Sequence, residues 1–404
     1  MPNSTLFENP FRPGAGHQPP YLAGRDREQA EIKRILTQTV VTENVILTGL
    51  RGVGKTVLLE TFKPIAYENN WLWTGTDFSE STSVSEETIA KRIITDLARI
   101  TSPYVISEQS TTPIGFLTET KISRTNANYE TLIEIYERTP GLVSDKLKFI
   151  FELSWVLIKD QNKAIKGIVF AYDEAQNIED HAPQGQYPLS LLLEVFQSIQ
   201  RKNIPFILIF TGLPTLFPKL VDARTYAERM FHVIFLNQLD RDASRDAILK
   251  PIERDKCKFR LKDEDVDRII DFSCGYPYFI QYICKEIFDA WLQKIMQKEP
   301  PTALYDDIIR KLDIDFFQGR WLNLTDRQRE LLKVISILEH CDNEFTVQEI
   351  ATKSKEVLEK SFSPSHTNQM LVSLANKGLV FKNRFGKYSL AVPLLSQFIR
   401  RQDI

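Results

Sequence analysis

The chain has 404 residues, of which 43% are hydrophobic and 26% charged, a composition typical of soluble globular proteins. A net charge of −2 excludes a protein that binds nucleic acid over its whole surface, so any DNA contact must come from a local patch. At roughly 150 residues per domain, the length predicts two or three domains.

The sequence shows no signal for export and no membrane-spanning segment. The first 24 residues are polar and proline-rich and lack the apolar core of a signal peptide. Apolar runs such as "IPFILIF" are too short to span a bilayer and read as buried strands. No Cys-x-x-Cys pair occurs, which favours buried thiols in a reducing cytosol over a zinc knuckle. We expect a cytoplasmic protein without a membrane segment. The four cysteines are Cys257, Cys274, Cys284 and Cys341.

Strands and helices alternate over the first 240 residues. In chain order the prediction is helix "DREQAEIKRILTQ", strand "NVILTG", helix "KTVLLETFKPIAYE", strand "NWLWTGTDFSE", helix "SVSEETIAKRIITDLARI", helix "LVSDKLKFIFELSWVLIKDQ", strand "AIKGIVFAYDEAQNI", helix "PLSLLLEVFQSIQRK", strand "IPFILIFTGLP" and a short strand in "ERMFHVIFLNQL". Residues 101–140 have no clear period and are predicted to form an inserted lobe or loop. The alternation predicts a parallel sheet with helices on both faces.

The rest of the chain is mostly helical by pattern. Three predicted helices, "RDASRDAILKPIE", "DEDVDRIIDFSC" and "YPYFIQYICKEIFDAWLQKI", precede a Pro-Pro boundary segment, "MQKEPPTAL". Beyond it follow the helix "TDRQRELLKVISIL" with Thr325 as its cap, the helix "TVQEIATKS", the helix "SPSHTNQMLVSLANKGLV" ending at Gly378, the hairpin "LVFKNRFGKYSLAVP" with its turn at Phe385-Gly386, and the helix "PLLSQFIRRQ". Three helices followed by a hairpin resemble a winged helix-turn-helix.

A phosphate-binding loop follows the first strand. The stretch "GLRGVGKT" fits G-x-x-x-x-G-K-[ST] and lies between an apolar strand and a helix, as its mechanism requires. Lys55 is expected to reach the β- and γ-phosphates, the Thr56 hydroxyl to ligate Mg²⁺, and the helix N-terminus to face the anion. The alternative is a plain glycine-rich turn. The expected phosphate-binding residues are Gly49, Leu50, Arg51, Gly52, Val53, Gly54, Lys55, Thr56 and Val57.

Two later strands end at polar side chains that are suited to nucleotide hydrolysis. The apolar strand in "IVFAYDEAQ" ends at Asp173, expected to hold Mg²⁺ through water, and Glu174, expected to deprotonate the attacking water. Thr211 ends the next buried strand, and strand ends of such sheets line the ligand crevice. The alternatives are that Asp173 and Glu174 cap the next helix and that Thr211 bonds its own turn.

With these motifs in order, the chain looks like an AAA+-related ATPase. It is most similar to the branch that includes archaeal Orc1/Cdc6-like and STAND signalling ATPases. "YLAGRDREQ" resembles the box that precedes the P-loop in that branch, which implies that Tyr21, Leu22, Gly24 and Arg25 lie near adenine and ribose. An ordinary turn and helix cap is the alternative. ATP rather than GTP rests on this resemblance, since no N-K-x-D motif follows the strand with Asp173.

Two further site residues come from the resemblance. In "DARTYAERMF" the branch often carries an arginine finger, commonly supplied by a neighbouring subunit. Arg229 is the first choice and Arg224 the second, against a solvated helix arginine. Typical AAA+ lids carry an arginine after a glycine at a helix start. Here Gly275-Tyr276-Pro277 instead resembles the GxP motif of STAND ATPases, in which Pro277 aims the helix at the nucleotide without a charge. This departure favours slow turnover.

The fold expected from pattern and resemblance is α/β: a P-loop NTPase parallel sheet with a helical lid, followed by a winged helix-turn-helix domain. The expected boundaries are 1–240 for the ATPase domain, 241–320 for the lid and 321–404 for the winged helix.

The winged helix has a basic face. From residue 360 to residue 402 the chain holds seven basic residues and no acidic one, enough for phosphate contacts with double-stranded DNA. The third helix lacks arginine, the residue that most often reads guanine, so a protein-packing role stays open. The DNA-binding candidates are Lys377, Lys382, Arg384 and Lys387.

These features leave three hypotheses. The first is an ATP- and Mg²⁺-dependent switch that assembles as a homo-oligomer on DNA. The second is a signalling or scaffold ATPase whose winged helix and 101–140 insertion bind a partner protein, such as one from the same operon, in mobile-element control or anti-phage defence. The third is a structural protein that holds nucleotide without turnover.

Overall fold

A computed structural model of the chain describes residues 8–14, 16–38, 40–79, 81, 84–111, 121–254, 259–297, 305–384 and 386–402. The chain divides into two compact units. The first comprises residues 1–26, 49–57 and 236–404, and the second residues 27–48 and 58–235. Most of the predicted boundary segment, residues 298–304, lies outside the described residues, as do Cys257 and Phe385. The predicted three-domain division stays a prediction.

The second unit contains a five-stranded sheet with the strand order β2-β5-β6-β1-β7. The pairs β2–β5, β5–β6 and β6–β1 are parallel, as the alternating pattern predicted. Its elements, some of which continue into the first unit, are α1 (Asp26–Thr37), β1 (Asn44–Gly49), α2 (Lys55–Glu68), β2 (Trp71–Thr74), α3 (Glu86–Thr101), β3 (Val105–Thr111), β4 (Lys121–Asn126), α4 (Tyr129–Arg138), α5 (Val143–Gln161), β5 (Gly167–Tyr172), α6 (Pro188–Arg201), β6 (Phe206–Gly212), α7 (Leu216–Ala223), α8 (Ala227–Met230) and β7 (Phe231–Leu236).

The sheet is fully buried along its central strands. Every residue of β1, β5 and β6 is buried, which explains why these strands read as continuous apolar runs rather than alternating ones. Phe151 of α5 forms the centre of an aromatic cluster, with ring centroids 5.2–5.4 Å from those of Phe170, Phe196 and Phe206. Burial of these rings holds α5 and α6 against the sheet.

The segment predicted to be an insertion is ordered locally by pairing. The strands β3 and β4 form an antiparallel hairpin, and Asn128 caps α4, which follows it. Residues 112–120, between the two strands, are not among the described residues.

The first unit contains the lid helices and the C-terminal domain. Its elements are α9 (Arg241–Arg254), α10 (Asp263–Ser273), α11 (Pro277–Gln297), α12 (Tyr305–Leu312), a π-helical turn (Asp313–Gln318), α13 (Gly319–Leu322), α14 (Asp326–Ser336), β8 (Phe345–Thr346), α15 (Val347–Val357), α16 (Pro364–Asn376), β9 (Val380–Arg384), β10 (Lys387–Leu390) and α17 (Leu395–Arg401). Two cores hold this unit, one around α9–α11 and one around the C-terminal helices.

The C-terminal domain is a winged helix, as predicted. Helices α14, α15 and α16 precede the strands β9 and β10, which form the wing. Strand β8, between α14 and α15, completes a three-stranded sheet with the order β8-β10-β9. The predicted cap is confirmed, because Thr325 and Gln328 form a reciprocal capping box at the start of α14. Gly378, with a φ of 67°, ends α16 as predicted. The aromatic ring of Phe317, from the π-helical turn, stacks on Phe398 of α17 with centroids 5.0 Å apart.

Two phenylalanines of α5 test how far the aromatic cluster stabilises the second unit. Phe151→Ala should lower the free energy of unfolding by about 3–5 kcal/mol, because it leaves a cavity among three rings. Phe149→Ala, on the same helix but 46% exposed, should change it by less than about 1 kcal/mol. Urea denaturation followed by circular dichroism measures both. Equal effects of the two substitutions would contradict the assignment of the cluster as core.

Candidate functional site

The loop between β1 and α2 has the backbone that its glycines permit. Gly52 and Gly54 have φ angles of 80° and 90°, values that residues with a side chain rarely adopt. A Cβ on Gly54 would meet no atom within 4 Å, so this glycine is required by conformation alone. Helix α2 begins at Lys55, so the loop leads directly into a helix N-terminus.

Lys55, predicted to reach the phosphates, folds back over the loop. The Lys55 Nζ donates hydrogen bonds to the carbonyl oxygens of Gly49 and Leu50, each at 2.9 Å. The ammonium group therefore lies over the loop rather than in open solvent. Val53 is buried and Thr56 is half-buried.

The Arg25 side chain donates a hydrogen bond to the backbone of the same loop. Its side chain is only 6% exposed, and its Nη2 donates to the carbonyl oxygens of Val53 (3.0 Å) and Asn237 (2.8 Å). The resemblance implied that Arg25 lies near adenine and ribose. In the structure its guanidinium joins the loop, at Val53, to the backbone that follows β7, at Asn237, which is the role of an anchor.

The other residues of that box pack on lid elements. Gly24 has a φ of 60°, and a Cβ there would lie 2.6 Å from the Cβ of Ala243 on α9. Tyr21 packs against the core around α9–α11, and Leu22 is half-buried. The close approach of the chain to α9 therefore explains the glycine.

The lid helix α11 begins on the phosphate loop. Pro277 is its first residue, and the amide of Tyr278 donates to the carbonyl oxygen of Gly52 at 3.1 Å. Gly275 has a φ of 72°, and a Cβ there would lie 2.3 Å from the carbonyl oxygen of Leu239. The Gly-Tyr-Pro motif thus turns the chain so that an N-terminal amide of α11 reaches the loop.

Besides Arg25, the loop has its own Arg51, a candidate from the sequence, and Arg320 near it, which was not a candidate. The Arg51 guanidinium lies against Gly378, where a Cβ would be 3.3 Å from its Nη1. Burial and the positive charge of Arg51 lower the pKa of Arg320, whose guanidinium lies over the Phe316 ring. Arg320 belongs to no recognisable sequence motif. It lies just after the π-helical turn, in α13.

The carboxylate pair lies at the end of β5, in the second unit. Asp173 is only 4% exposed, and its Oδ1 accepts a hydrogen bond from the Glu174 amide at 2.8 Å. Glu174 has a left-handed backbone (φ 51°) and an exposed side chain. A non-glycine residue in this conformation is uncommon and clusters at functional sites.

A third carboxylate lies beside this pair and was missed from the sequence. Asp77 forms a parallel bridge with Asp173, and the Phe78 amide donates to the Asp173 carbonyl oxygen at 3.0 Å. Burial and the negative charges of Asp173 and Glu174 raise the pKa of Asp77. The only sequence signal was an acid three residues after a short strand.

Thr211 lies near the end of β6, the strand next to β5. Its hydroxyl is fully buried and has no hydrogen-bond partner within the described part of the chain. The same holds for Thr48 on β1, which pairs with Gly212. Buried hydroxyls without partners are costly, so each calls for a reason.

The two candidate arginine fingers differ in their surroundings. Arg224 ends α7, and its Nη2 lies 3.9 Å from a carboxylate oxygen of Glu194. Arg229 lies on the short helix α8 with an exposed side chain. Its amide donates to the Tyr226 carbonyl oxygen at 3.0 Å, and within the described residues its side chain shows no hydrogen bond or ion pair.

The basic residues of the winged helix are only partly available. Lys377 donates from its Nζ to the Asn323 carbonyl oxygen (2.7 Å) and to Gln328 Oε1 (3.0 Å), so its ammonium is used inside the domain. Lys382 on β9 is exposed and Lys387 on β10 is half-buried. The Arg384 side chain lies outside the described residues.

Comparison with solved structures reveals the fold. The Walker-type ATPase of Pyrococcus abyssi matches over 94% of this chain and 96% of its own, with a TM-score of 0.56 and 15% identity. The Orc2 protein of Aeropyrum pernix, in its ADPNP-ADP complexes, matches over 96% of both chains with a TM-score of 0.52 and 13% identity. The chain has the fold of these ATPases. The ADP form of the Aeropyrum pernix Orc2 protein matches over the same shares of both chains, with a TM-score of 0.53.

Sequence comparisons find no counterpart. No protein-family model matches the chain, and no curated protein matches it. Across the described ranges, no helix is both long enough and apolar enough to cross a membrane.

Removal of the Arg25 side chain tests its role as an anchor. Arg25→Ala leaves two carbonyl oxygens without their donor and should lower the free energy of unfolding by about 2–4 kcal/mol. Arg27→Ala, two residues on and exposed, is the matched control and should change it by less than about 0.5 kcal/mol. Chemical denaturation without nucleotide measures both. A loss of nucleotide affinity with unchanged stability would contradict the anchor and favour the adenine-side role.

Proposed function

We propose that the protein is an ATP-binding switch that hydrolyses ATP slowly with Mg²⁺ and assembles on DNA as a homo-oligomer in a nucleotide-dependent way. The observation that carries the nucleotide part is the loop from Gly49 to Val57. Its left-handed glycines, its returning Lys55 and its direct connection to the N-terminus of α2 are the features that bind phosphate in P-loop proteins.

The proposed hydrolytic roles follow the chemistry of each group. Thr56 and Asp173 would hold Mg²⁺, since a hydroxyl and a carboxylate are the oxygen ligands that this hard cation takes beside phosphates. When bound, Mg²⁺ would neutralise charge on the phosphates. Glu174, whose side chain is exposed, would take the proton of the attacking water. The buried Thr211 hydroxyl is available to bond the terminal phosphate or that water.

Slow turnover is supported by the lid. The first turn of α11 brings a backbone amide and no arginine to the loop, because Tyr278 donates to the Gly52 carbonyl oxygen. Tyr21 and Leu22 stay proposed adenine-side residues, and Pro277 sets the start of the lid helix. An arginine finger would then matter more, and the exposed Arg229 is free to complete the site of a neighbouring copy.

The proposed DNA contact is the wing. Lys382 and Lys387 lie on its two strands, and Arg384 is close to them in sequence. A wing places such residues on the backbone or a groove of double-stranded DNA. The phosphate contacts would make binding strongly dependent on salt.

A second candidate function is supported by one observation. The Lys377 ammonium donates hydrogen bonds to Asn323 and Gln328 within the domain, and Asn368 of α16 accepts a hydrogen bond from Tyr388. A third helix whose polar groups bond internally favours a winged helix that packs on protein. The chain would then be a signalling ATPase that binds a partner protein, for instance one from the same operon. Deletion of the hairpin formed by β3 and β4, which spares the buried residues Leu132 and Tyr136 of α4, should abolish that complex while ATP binding persists.

The cytoplasm is the proposed location. The cysteines Cys274, Cys284 and Cys341 are free thiols, two of them buried, which fits a reducing compartment.

Two substitutions separate ATP binding from hydrolysis. Lys55→Ala should weaken ATP binding by roughly ten- to a hundredfold, through loss of charge-assisted hydrogen bonds. Glu174→Gln should keep ATP binding but lower kcat by roughly 10²–10⁴-fold. Lys33→Ala, exposed on α1, is the control for both. Calorimetry and phosphate release measure them, and mass in solution with ADP or a non-hydrolysable ATP analogue measures assembly. Wild-type protein that binds no ATP would rule out the proposal.

The DNA contact is tested by its dependence on salt. For a short duplex, Lys382→Ala and Lys387→Ala should each reduce the slope of log K against log salt by about 1. Lys353→Ala, a surface lysine of α15 paired with Glu356, should leave the slope unchanged. Fluorescence anisotropy at several salt concentrations, with and without ATP, gives the slopes. The absence of any binding at low salt in both states would remove DNA from the proposal and leave the partner-binding candidate.

A further inference from the structure

Gln176 connects the ends of two neighbouring strands of the sheet. It lies in a short 3-10 turn, Ala175–Asn177, directly after the carboxylates that follow β5. Its Nε2 donates a hydrogen bond to Glu174 Oε2, and its Oε1 accepts one from the Leu213 amide at 3.2 Å. One side-chain amide therefore joins the Glu174 carboxylate to the backbone that follows β6.

The chain leaves room for this amide at one residue. A Cβ on Gly212 would lie only 2.6 Å from Gln176 Oε1, a distance that real Cβ atoms do not show. The φ of Gly212 is not in the left-handed region, so close approach and not conformation requires glycine here. Gly212 follows Thr211 directly, so the contact is adjacent to the buried hydroxyl.

The backbone of Gln176 is held as well. The Lys219 Nζ, on α7, donates to the Gln176 carbonyl oxygen at 2.8 Å and to Glu179 Oε2 at 2.9 Å. A glutamine fixed at its carbonyl and at both ends of its amide has little rotamer freedom left. Glu174, by contrast, is exposed, and the Gln176 amide is the side-chain group seen to restrain its carboxylate within the described residues.

We propose that Gln176 is a positioning residue that holds the Glu174 carboxylate in one orientation and couples it to the strand end that carries Thr211. This inference rests on the proposed role of Glu174 in ATP hydrolysis. Gln176 does not touch the reacting atoms and acts through Glu174. A general base must lie within hydrogen-bond reach of the proton it takes, so a free carboxylate spends part of its time out of reach.

The inference predicts a split between kcat and KM. Gln176→Ala should lower kcat by about tenfold or more, because misplacement of a catalytic group by about 1 Å has effects of that size. KM and ATP affinity should stay unchanged, because the phosphate loop is untouched. Gln184→Ala, an exposed glutamine of the next 3-10 turn, is the matched control and should behave like wild type. Thermal melting verifies that each variant is folded.

Double substitutions show whether the effect passes through Glu174. In single-turnover measurements, Gln176→Ala should cause no further loss in a Glu174→Ala background, because no carboxylate is left to orient. Gly212→Ala should displace the amide and lower kcat in the wild-type background, with little added effect on Gln176→Ala. Gln176→Glu keeps the acceptor for Leu213 but loses the donor to Glu174, and should lower kcat at least as much as Gln176→Ala.

The outcomes separate this inference from the proposed function. Unchanged kcat in Gln176→Ala, or an equal further loss in the Glu174→Ala background, would overturn the role of Gln176 while ATP hydrolysis stands. Wild-type turnover no faster than that of Glu174→Ala would overturn the hydrolytic function and the role of Gln176 together. A tenfold fall in kcat at constant KM that disappears without Glu174 is the expected result.

Discussion

Parallel pairing of three buried strands is the constraint on which the positions of the candidate site residues depend. Tyr172 of β5 is level with Phe210 of β6, and Thr211 of β6 is level with Leu47 of β1. The residues that follow β5 and β6 therefore emerge at the same edge of the sheet. A slip of one residue would move each side chain to the opposite face of the sheet, where it would meet a different set of packed neighbours. The apolar runs thus set the level of Asp173 and Thr211.

Backbone carbonyl groups create a second constraint, around the phosphate loop. A tight glycine-rich loop cannot pair its own carbonyl oxygens, and buried ones need donors. The chain supplies them from three sources: Arg25 for Val53, Lys55 for Gly49 and Leu50, and Tyr278 for Gly52. The same contacts that satisfy the loop tie it to the start of the lid helix, so a change at the loop has a direct route to that helix.

Local signals predicted most of the elements and part of the site. The capping box at Thr325, the glycine that ends α16 and the long apolar strands were all readable, because each depends on neighbours within a few residues. The adenine-side role of Arg25 stays a prediction from resemblance, and in the structure its guanidinium donates to the Val53 carbonyl oxygen. Asp77, Gln176 and Arg320 were missed, since each has at least one partner from a distant part of the chain: Asp173 for Asp77, Leu213 for Gln176 and Arg51 for Arg320. Lys377 was predicted to contact DNA because its partners Asn323 and Gln328, about 50 residues away in the chain, could not be seen from the sequence.

The sequence by itself determined the parallel α/β order, the phosphate loop, the Asp173-Glu174 pair and the winged helix. These depend on periodicity, glycine conformation and spacing, which act over short distances. Tertiary structure alone decided which polar groups meet: the bridge between Asp77 and Asp173, the Gln176 amide between two strand ends, and the internal bonds of Lys377. The physical reason is that hydrogen bonds and charge effects require approach within a few ångströms, and only the packing of distant segments brings such groups together.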